Sequence, residues 1–322
     1  MLNQRWWARR LVVLAAVLTL VSVATFALLV VLPGDPVVTI LGPQATPAAQ
    51  AELRHELGLD RPVATRYLRW AGDAMQGDLG VSYQTNQPVA DSLRQRLPVS
   101  LELLACAQIL ALAGAVVLAV VSALRVGTIT DRLIAAGSFA GLAVPNFAVG
   151  VALIAVFVVR LGWFDTFGYV PWRVDLLANL RGMVLPSITL ALPLLALYTR
   201  VLRGDLLRAL SQDHVHQARL NGLSPSRIVV RHGLRQSLAT LLTVVGLNVS
   251  SLLGGAVVIE SLFALPGIGR LLFSSISERD YLVTQGAVLV IAACYVVANV
   301  LVELAQRILD PRLGANAERT QR

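Results

Sequence analysis

Lysine is absent from this chain of 322 residues: all 27 basic side chains are arginine. A phosphate-binding loop of the GxxxxGK[ST] kind needs its lysine on the nucleotide phosphates, so that loop is excluded. Schiff-base chemistry is excluded with it. Any use of ATP must therefore be carried by another polypeptide. Charge of either sign is scarce. It makes up 14% of residues, against roughly 25% in a soluble domain. Hydrophobic residues make up 56% and mean hydropathy is +0.69, which places the chain in a bilayer. The two cysteines, Cys106 and Cys294, lie far apart in apolar runs and offer no metal-ligand spacing. Histidine is rare too: His55 stands alone, and His214, His216 and His232 fall in one basic stretch. His214 and His216 are two residues apart and cannot share a helix face. Neither HExxH nor GxSxG occurs. No catalytic residue and no metal ligand is assigned.

What is present is a series of apolar runs. Arg5, Arg9 and Arg10 precede Leu11–Leu32, which is long enough to span. This start resembles a signal peptide, but no small-residue cleavage site ends the run, so it reads as an anchor. Residues 1–32 thus form a cytosolic stub and first span. Residues 33–98 have soluble character and read as a small external subdomain. A helix is expected from Thr46-Pro47 to Gly58, by its cap, its first-position proline and its terminal glycine. A second follows from Pro62 to Met75, offering Tyr67, Leu68 and Trp70 for packing. Gly77 to Gln84 reads as extended or turn. Residues 99–322 hold five further spans. They are expected at Val99–Leu124, Leu133–Val159 (broken at Pro145-Asn146), Gly182–Thr199 with Pro186 and Pro193, Leu238–Ile259 and Leu282–Val302. Trp163, Phe164, Phe167, Tyr169 and Trp172 read as an interfacial aromatic cluster. The fold class is therefore an all-α integral membrane protein of six transmembrane helices.

Arginine counting orients the chain. With both termini in the cytosol, the cytosolic segments hold 16 arginines against 6 acids, and the remainder 11 against 13. Acids are missing from the middle of the spans, since Glu102, Glu260 and Glu303 lie near predicted ends. Asn146 and Asn248 read as helix-to-helix hydrogen bonders, worth about 0.6 kcal/mol each. An ion-driven carrier normally places acids or broken helices near the midplane. A secondary, gradient-driven transporter is therefore the alternative reading, with the basic loop serving only topology. A non-transporting scaffold is a third.

The cytosolic loop 203–237 contains the most specific stretch, Asp213 to Leu238. Asp213 is placed to cap a short helix carrying Val215, His216, Ala218, Arg219 and Leu220. Gly222 sits where a left-handed C-terminal residue belongs. Ser224 then serves as cap and Pro225 as first residue of a second helix. A helix of about eight residues does not hold itself in water, so a separate protein is expected to receive it, with Val215 and Leu220 as buried anchors. Seven arginines between Arg200 and Arg235 suggest a helix-turn-helix on DNA. Tethering between two spans argues against that, and nucleic acid is not expected as a partner.

This stretch resembles the cytosolic coupling loop of permease subunits in bacterial ATP-binding-cassette importers. More narrowly, the chain is similar to the B-type permease of dipeptide, oligopeptide and nickel importers. The likeness extends to LPGDPVVTILGPQATPAAQAELRHELGLDRP from Leu32, GDLGVSYQTNQPVADSLRQRLPVSLEL from Gly77, IESLFALPGIGRLLFSSISERDYLVTQG from Ile259 and LDPR from Leu309. It implies a type I importer permease fold in the bacterial plasma membrane. It also implies four kinds of partner: a second homologous permease, two ATPase subunits or a fused pair, an external substrate-binding protein and the bilayer. No cofactor is implied on this chain; ATP and magnesium would sit on the ATPases. Ala218 and Gly222 occupy the alanine and glycine of the family's coupling motif, whose glutamate position falls at His216. Leu265, Pro266, Gly267 and Gly269 match an external re-entrant segment. Substrate-contacting residues are not implied.

Overall fold

Long apolar runs without internal charge can satisfy their backbone only within themselves, and the chain accordingly folds into helices. The computed structural model describes residues 4–31, 35–42, 44–164, 168–212, 215 and 223–309. Among these the sole extended pairing is an isolated bridge between Val81 and Pro88. Four helices are long and apolar enough to cross a membrane: α1 (Gln4–Val31), α5 (Val89–Leu124), α8 (Leu176–Leu210) and α13 (Tyr281–Leu309). Two bent pairs bring the count to six when each pair is taken as one crossing. In the first pair, α6 (Ile129–Ala143) turns by 103° into α7 (Asn146–Leu153) and its continuation Ile154–Arg160. In the second, α10 (Arg235–Leu247) turns by 51° into α11 (Val249–Leu262).

The first bend falls at Val144-Pro145, where proline disfavours helix in the residue before it. Val144 is extended there, at φ −89° and ψ 127°. The second falls at Asn248, whose side-chain amide donates to the Val244 carbonyl of its own helix at 2.8 Å. That corrects the expectation of a helix-to-helix bond from Asn248: the amide stays local and marks the bend. α5 starts at Val89, ten residues before the expected span, and carries Pro98 inside it. α8 extends past the expected Gly182–Thr199 at both ends and holds Pro186 and Pro193. Its start is fixed by Asp175, whose carboxylate accepts from the Leu177 and Ala178 amides.

The chain packs as two compact units. The first comprises Met1–Leu101 and Ala264–Val296. It contains α1, α2 (Pro36–Leu41), α3 (Pro47–Glu56), α4 (Val63–Met75) and α12 (Ile268–Ser277). Thr46 caps α3 through the Ala49 amide, and Gly58 follows with φ +63°. α4 turns Trp70 inward but leaves Leu68 exposed at 70%, so only part of the expected packing face is used. Val89, Leu93, Ile268, Leu271, Val283 and Ala287 form the core of this unit. The turn before α13 is locked by Asp280, which accepts from the Ser82 hydroxyl and the Val283 amide.

The second unit comprises Glu102–Phe263 and Val297–Arg322. α8 is its axis, with α6, α7, α10 and α11 packed against it. Close approach is made through small residues. A Cβ on Gly150 would lie 2.5 Å from Leu262 and 3.1 Å from Thr189; one on Gly255 would meet Leu190 at 2.9 Å. The expected aromatic cluster divides. Phe157 takes Trp163 and Phe164 at centroid distances of 5.6 and 6.4 Å. Tyr169 instead donates to Glu102 at 2.8 Å, and Arg173 lies over Trp172. Burial, with the Glu102 carboxylate beside it, pushes the Tyr169 phenol up to about 12, so it remains a donor. Phe167 lies outside the described residues.

Candidate functional site

The loop between α8 and α10 is where the sequence concentrates its unusual polarity. Its outgoing arm is the end of α8, with Leu202, Leu206 and Ala209 buried. Ser211 closes that helix, its hydroxyl donating to the Arg208 carbonyl at 2.8 Å. The returning arm opens with α9 (Pro225–Ile228) and runs through a π-helical stretch, Val229–Leu234, into α10. Pro225 is the first helical residue, and the carbonyl of the preceding Ser224 accepts from the Ile228 amide at 3.1 Å. The Ser224 hydroxyl lies 3.5 Å from that of Ser226. Of the other residues singled out from the sequence, Asp213, His216, Ala218, Arg219, Leu220 and Gly222 lie outside the described residues.

Val215 is described, and its position corrects one expectation. It is fully buried within this chain, against Ile228, with Leu210 and Leu223 packed beside the pair. A side chain already inside its own fold is not an anchor for a partner's groove. Instead Val215 closes the loop upon itself, pinning the outgoing arm to the start of the returning one. The two arms approach closely further along. A Cβ on Gly233 would come within 3.1 Å of Leu206, and the Ser237 hydroxyl donates to the Gly233 carbonyl. Gly233 was not singled out from the sequence; a lone glycine in a basic run carries no signal of its own.

A second missed feature sits about two turns before the end of α8. Arg203 of α8 forks onto Asp131 of α6, Nε to Oδ1 at 2.8 Å and a terminal nitrogen to Oδ2 at 2.9 Å. Arg203 Nε also reaches the Ser122 hydroxyl near the end of α5 at 2.7 Å, and Ser122 donates to Asp131. The Gly127 amide, in the turn between α5 and α6, supplies a further bond to Asp131 at 3.1 Å. The carboxylate is 5% exposed, yet both oxygens are engaged. A bidentate, charge-assisted pair of this kind fixes angle as well as distance. Close by, the Arg200 guanidinium lies 4.8 Å from the Phe139 ring centroid, again joining α8 to α6. The root of the loop is thereby fastened to two other helices. The expected signal was present but ambiguous: Asp131 is the lone acid of a short turn flanked by Arg125 and Arg132.

The segment Leu265 to Gly269 belongs to the other unit. Leu265, Gly267 and Gly269 are buried and Pro266 half-buried. Gly267 precedes α12 with extended backbone, and the Ile268 amide donates to the Ser100 hydroxyl at 2.8 Å. Ala264, just before, holds a left-handed φ of +52°, with the Arg270 guanidinium on its carbonyl. Among the described residues no group of three or more His, Cys, Asp or Glu is placed to hold a metal. At the loop the described residues thus show a fastened helix end and a hydrophobic clasp.

Comparison with known proteins shows the family. Residues 115–315 match the family profile described as "Binding-protein-dependent transport system inner membrane component". Residues 2–104 match the corresponding N-terminal profile. The "Probable peptide ABC transporter permease protein y4tP" of Sinorhizobium fredii is 37% identical over 95% of this chain and 97% of its own length. The "Di/tripeptide transport system permease protein DppB" of Pseudomonas aeruginosa is 36% identical, over 95% and 97% respectively. The "Oligopeptide transport system permease protein AppB" of Bacillus subtilis is 34% identical, over 95% and 98%. This chain belongs to the family of inner membrane components of binding-protein-dependent transport systems.

Proposed function

We propose that this chain is the permease subunit of an ATP-driven importer and forms part of the pathway for peptides. The observation that carries the reading is the pair of family profiles, which together run almost from end to end of the chain. Peptides are favoured because the relatives named above are described by peptide transport. The ion-gradient alternative gains nothing from these matches.

Three kinds of partner follow from the reading: ATP-binding-cassette ATPases, a second permease and an external binding protein. The loop 203–237 faces the cytosol by arginine count and receives the ATPase through Asp213–Pro225. Nucleotide-driven closure of the ATPase pair pushes on this loop. Arg203 and the Val215–Ile228 clasp then carry the push into α8, and through Asp131 and Ser122 into α6 and α5. The Leu265–Gly269 segment is read as external from the resemblance of its sequence.

Isolation of the tagged chain under mild conditions is expected to retain ATPase subunits and a second permease. In proteoliposomes, peptide uptake is expected only with ATP and the binding protein present. Uptake by the single chain on an ion gradient alone would overturn the reading. Gly222→Val is expected to leave assembly intact but to separate ATP hydrolysis from uptake, because the sequence calls for a left-handed residue there and a side chain resists that conformation at about 1 kcal/mol or more.

A further inference from the structure

The first unit contains a cavity of about 190 Å³, bounded by the end of α1, by α4, by the segment 78–83 and by the start of α13. For scale, an apolar cavity of about 150 Å³ holds a benzene ring. Two buried polar atoms on lining residues have no hydrogen-bond partner: Trp70 Nε1 and Gln285 Oε1. Trp70 is 8% exposed and Gln285 1%. The orientation of Gln285 is set from behind, where its Nε2 donates to the Ser22 carbonyl at 2.8 Å. Ser22 is held in turn by the Tyr67 hydroxyl at 2.8 Å. A buried carbonyl oxygen of this kind asks for a donor, and a buried indole N–H asks for an acceptor.

Charges of both signs also line the cavity. Arg61, Arg66 and Arg69 line the cavity, and none forms an ion pair with a described carboxylate. Arg66 lies 5.7 Å from the Phe26 ring centroid, which holds its guanidinium at the wall. Asp73 supplies a carboxylate without an ion pair among the described residues, whereas Asp78 already accepts from the Gly80 amide at 2.8 Å. Phe26, Leu29, Val30, Leu57 and Leu282 make up the apolar part of the wall.

We infer that this cavity binds a compact zwitterion, with an oxyanion toward the arginines and Trp70 and a primary ammonium toward Gln285 and Asp73. A short peptide with free termini and the headgroup of an ethanolamine phospholipid share that chemistry. The second is a candidate because Phe26 and Leu29 are at the end of an apolar run long enough to cross a bilayer. The site needs no ATPase and no binding protein, so it stands or falls apart from the transport reading.

Calorimetric titration of the full-length chain in detergent tests the inference. The probes are glycyl-L-leucine and dihexanoyl phosphatidylethanolamine. N-acetyl-L-leucine, L-leucinamide and dihexanoyl phosphatidylglycerol, each lacking one of the two charges, serve as controls. One zwitterion is expected to bind about tenfold or more tightly than its singly charged analogues. Arg66→Gln and Asp73→Asn are each expected to weaken it by about tenfold, the effect of losing one charged hydrogen bond. Preference for glycyl-leucine identifies a free solute as the source, and preference for the phospholipid a membrane component; either supports the site. Should Arg66→Gln fail to fold, Arg69→Gln replaces it. Absence of binding by both zwitterions, equal binding of the singly charged analogues, or affinity indifferent to the substitutions would overturn the inference.

Discussion

At the level of single residues, the Arg203–Asp131 pair has a large energetic stake. Removing Asp131 leaves the mostly covered Arg203 charge without its partner, at a cost of about 1–3 kcal/mol. Asp131→Ala is therefore expected to lower the thermal unfolding temperature of the purified chain strongly. The double variant Asp131→Ala/Arg203→Leu should recover much of the loss, because no orphan charge remains. A double variant as unstable as the sum of the singles would show that the pair is not coupled. This pair was not legible in the sequence. The partners stand 72 residues apart, and no local periodicity links them. Arg203 also looked like one more arginine in a run whose count already had an explanation in topology. Tyr169 was hidden similarly: aromatics near a bilayer surface read as a belt, and nothing local pointed to Glu102.

Among helices and loops, what could be read was whatever leaves a local mark. Proline before Asn146 predicted a break, and Thr46-Pro47 predicted a helix start; both are sited by backbone chemistry at those residues. The start of α5 was misplaced because hydropathy was followed and not spacing. Val89, Leu93 and Leu97 recur every four residues and pack into one core, so the helical period extended beyond the apolar run. Small residues set how closely helices meet. Gly150→Val is expected to push Leu262 and Thr189 aside at about 1–3 kcal/mol, read as a lower unfolding temperature. The loop supplies a separate test. Ile228→Ala opens the clasp on Val215 and removes about 2–5 kcal/mol of local packing. Trypsin should then cut at Arg219 or Arg227 markedly faster in the folded protein than in the unaltered chain. An unchanged cleavage rate would mean that the clasp does not hold the loop closed.

Across the whole molecule, composition alone placed the chain in a membrane, and six crossings follow if each bent pair counts once. A multi-pass inner membrane component is what the family matches give as well. Much of α1 is uncovered by the rest of the chain, with Leu11, Val12, Leu20 and Leu28 each more than 60% exposed. Such a surface suits acyl chains or a neighbouring helix. The breaks are different. At Val144-Pro145 the helical ladder is interrupted while residues 142–145 are exposed. Hydrocarbon offers no hydrogen bonds, so an interrupted backbone inside a bilayer cannot be bathed by lipid tails. Either moisture reaches the gap or a neighbouring subunit seals it. A cysteine placed at Ala143 should therefore react with a membrane-impermeant maleimide in the lone chain and become shielded on assembly.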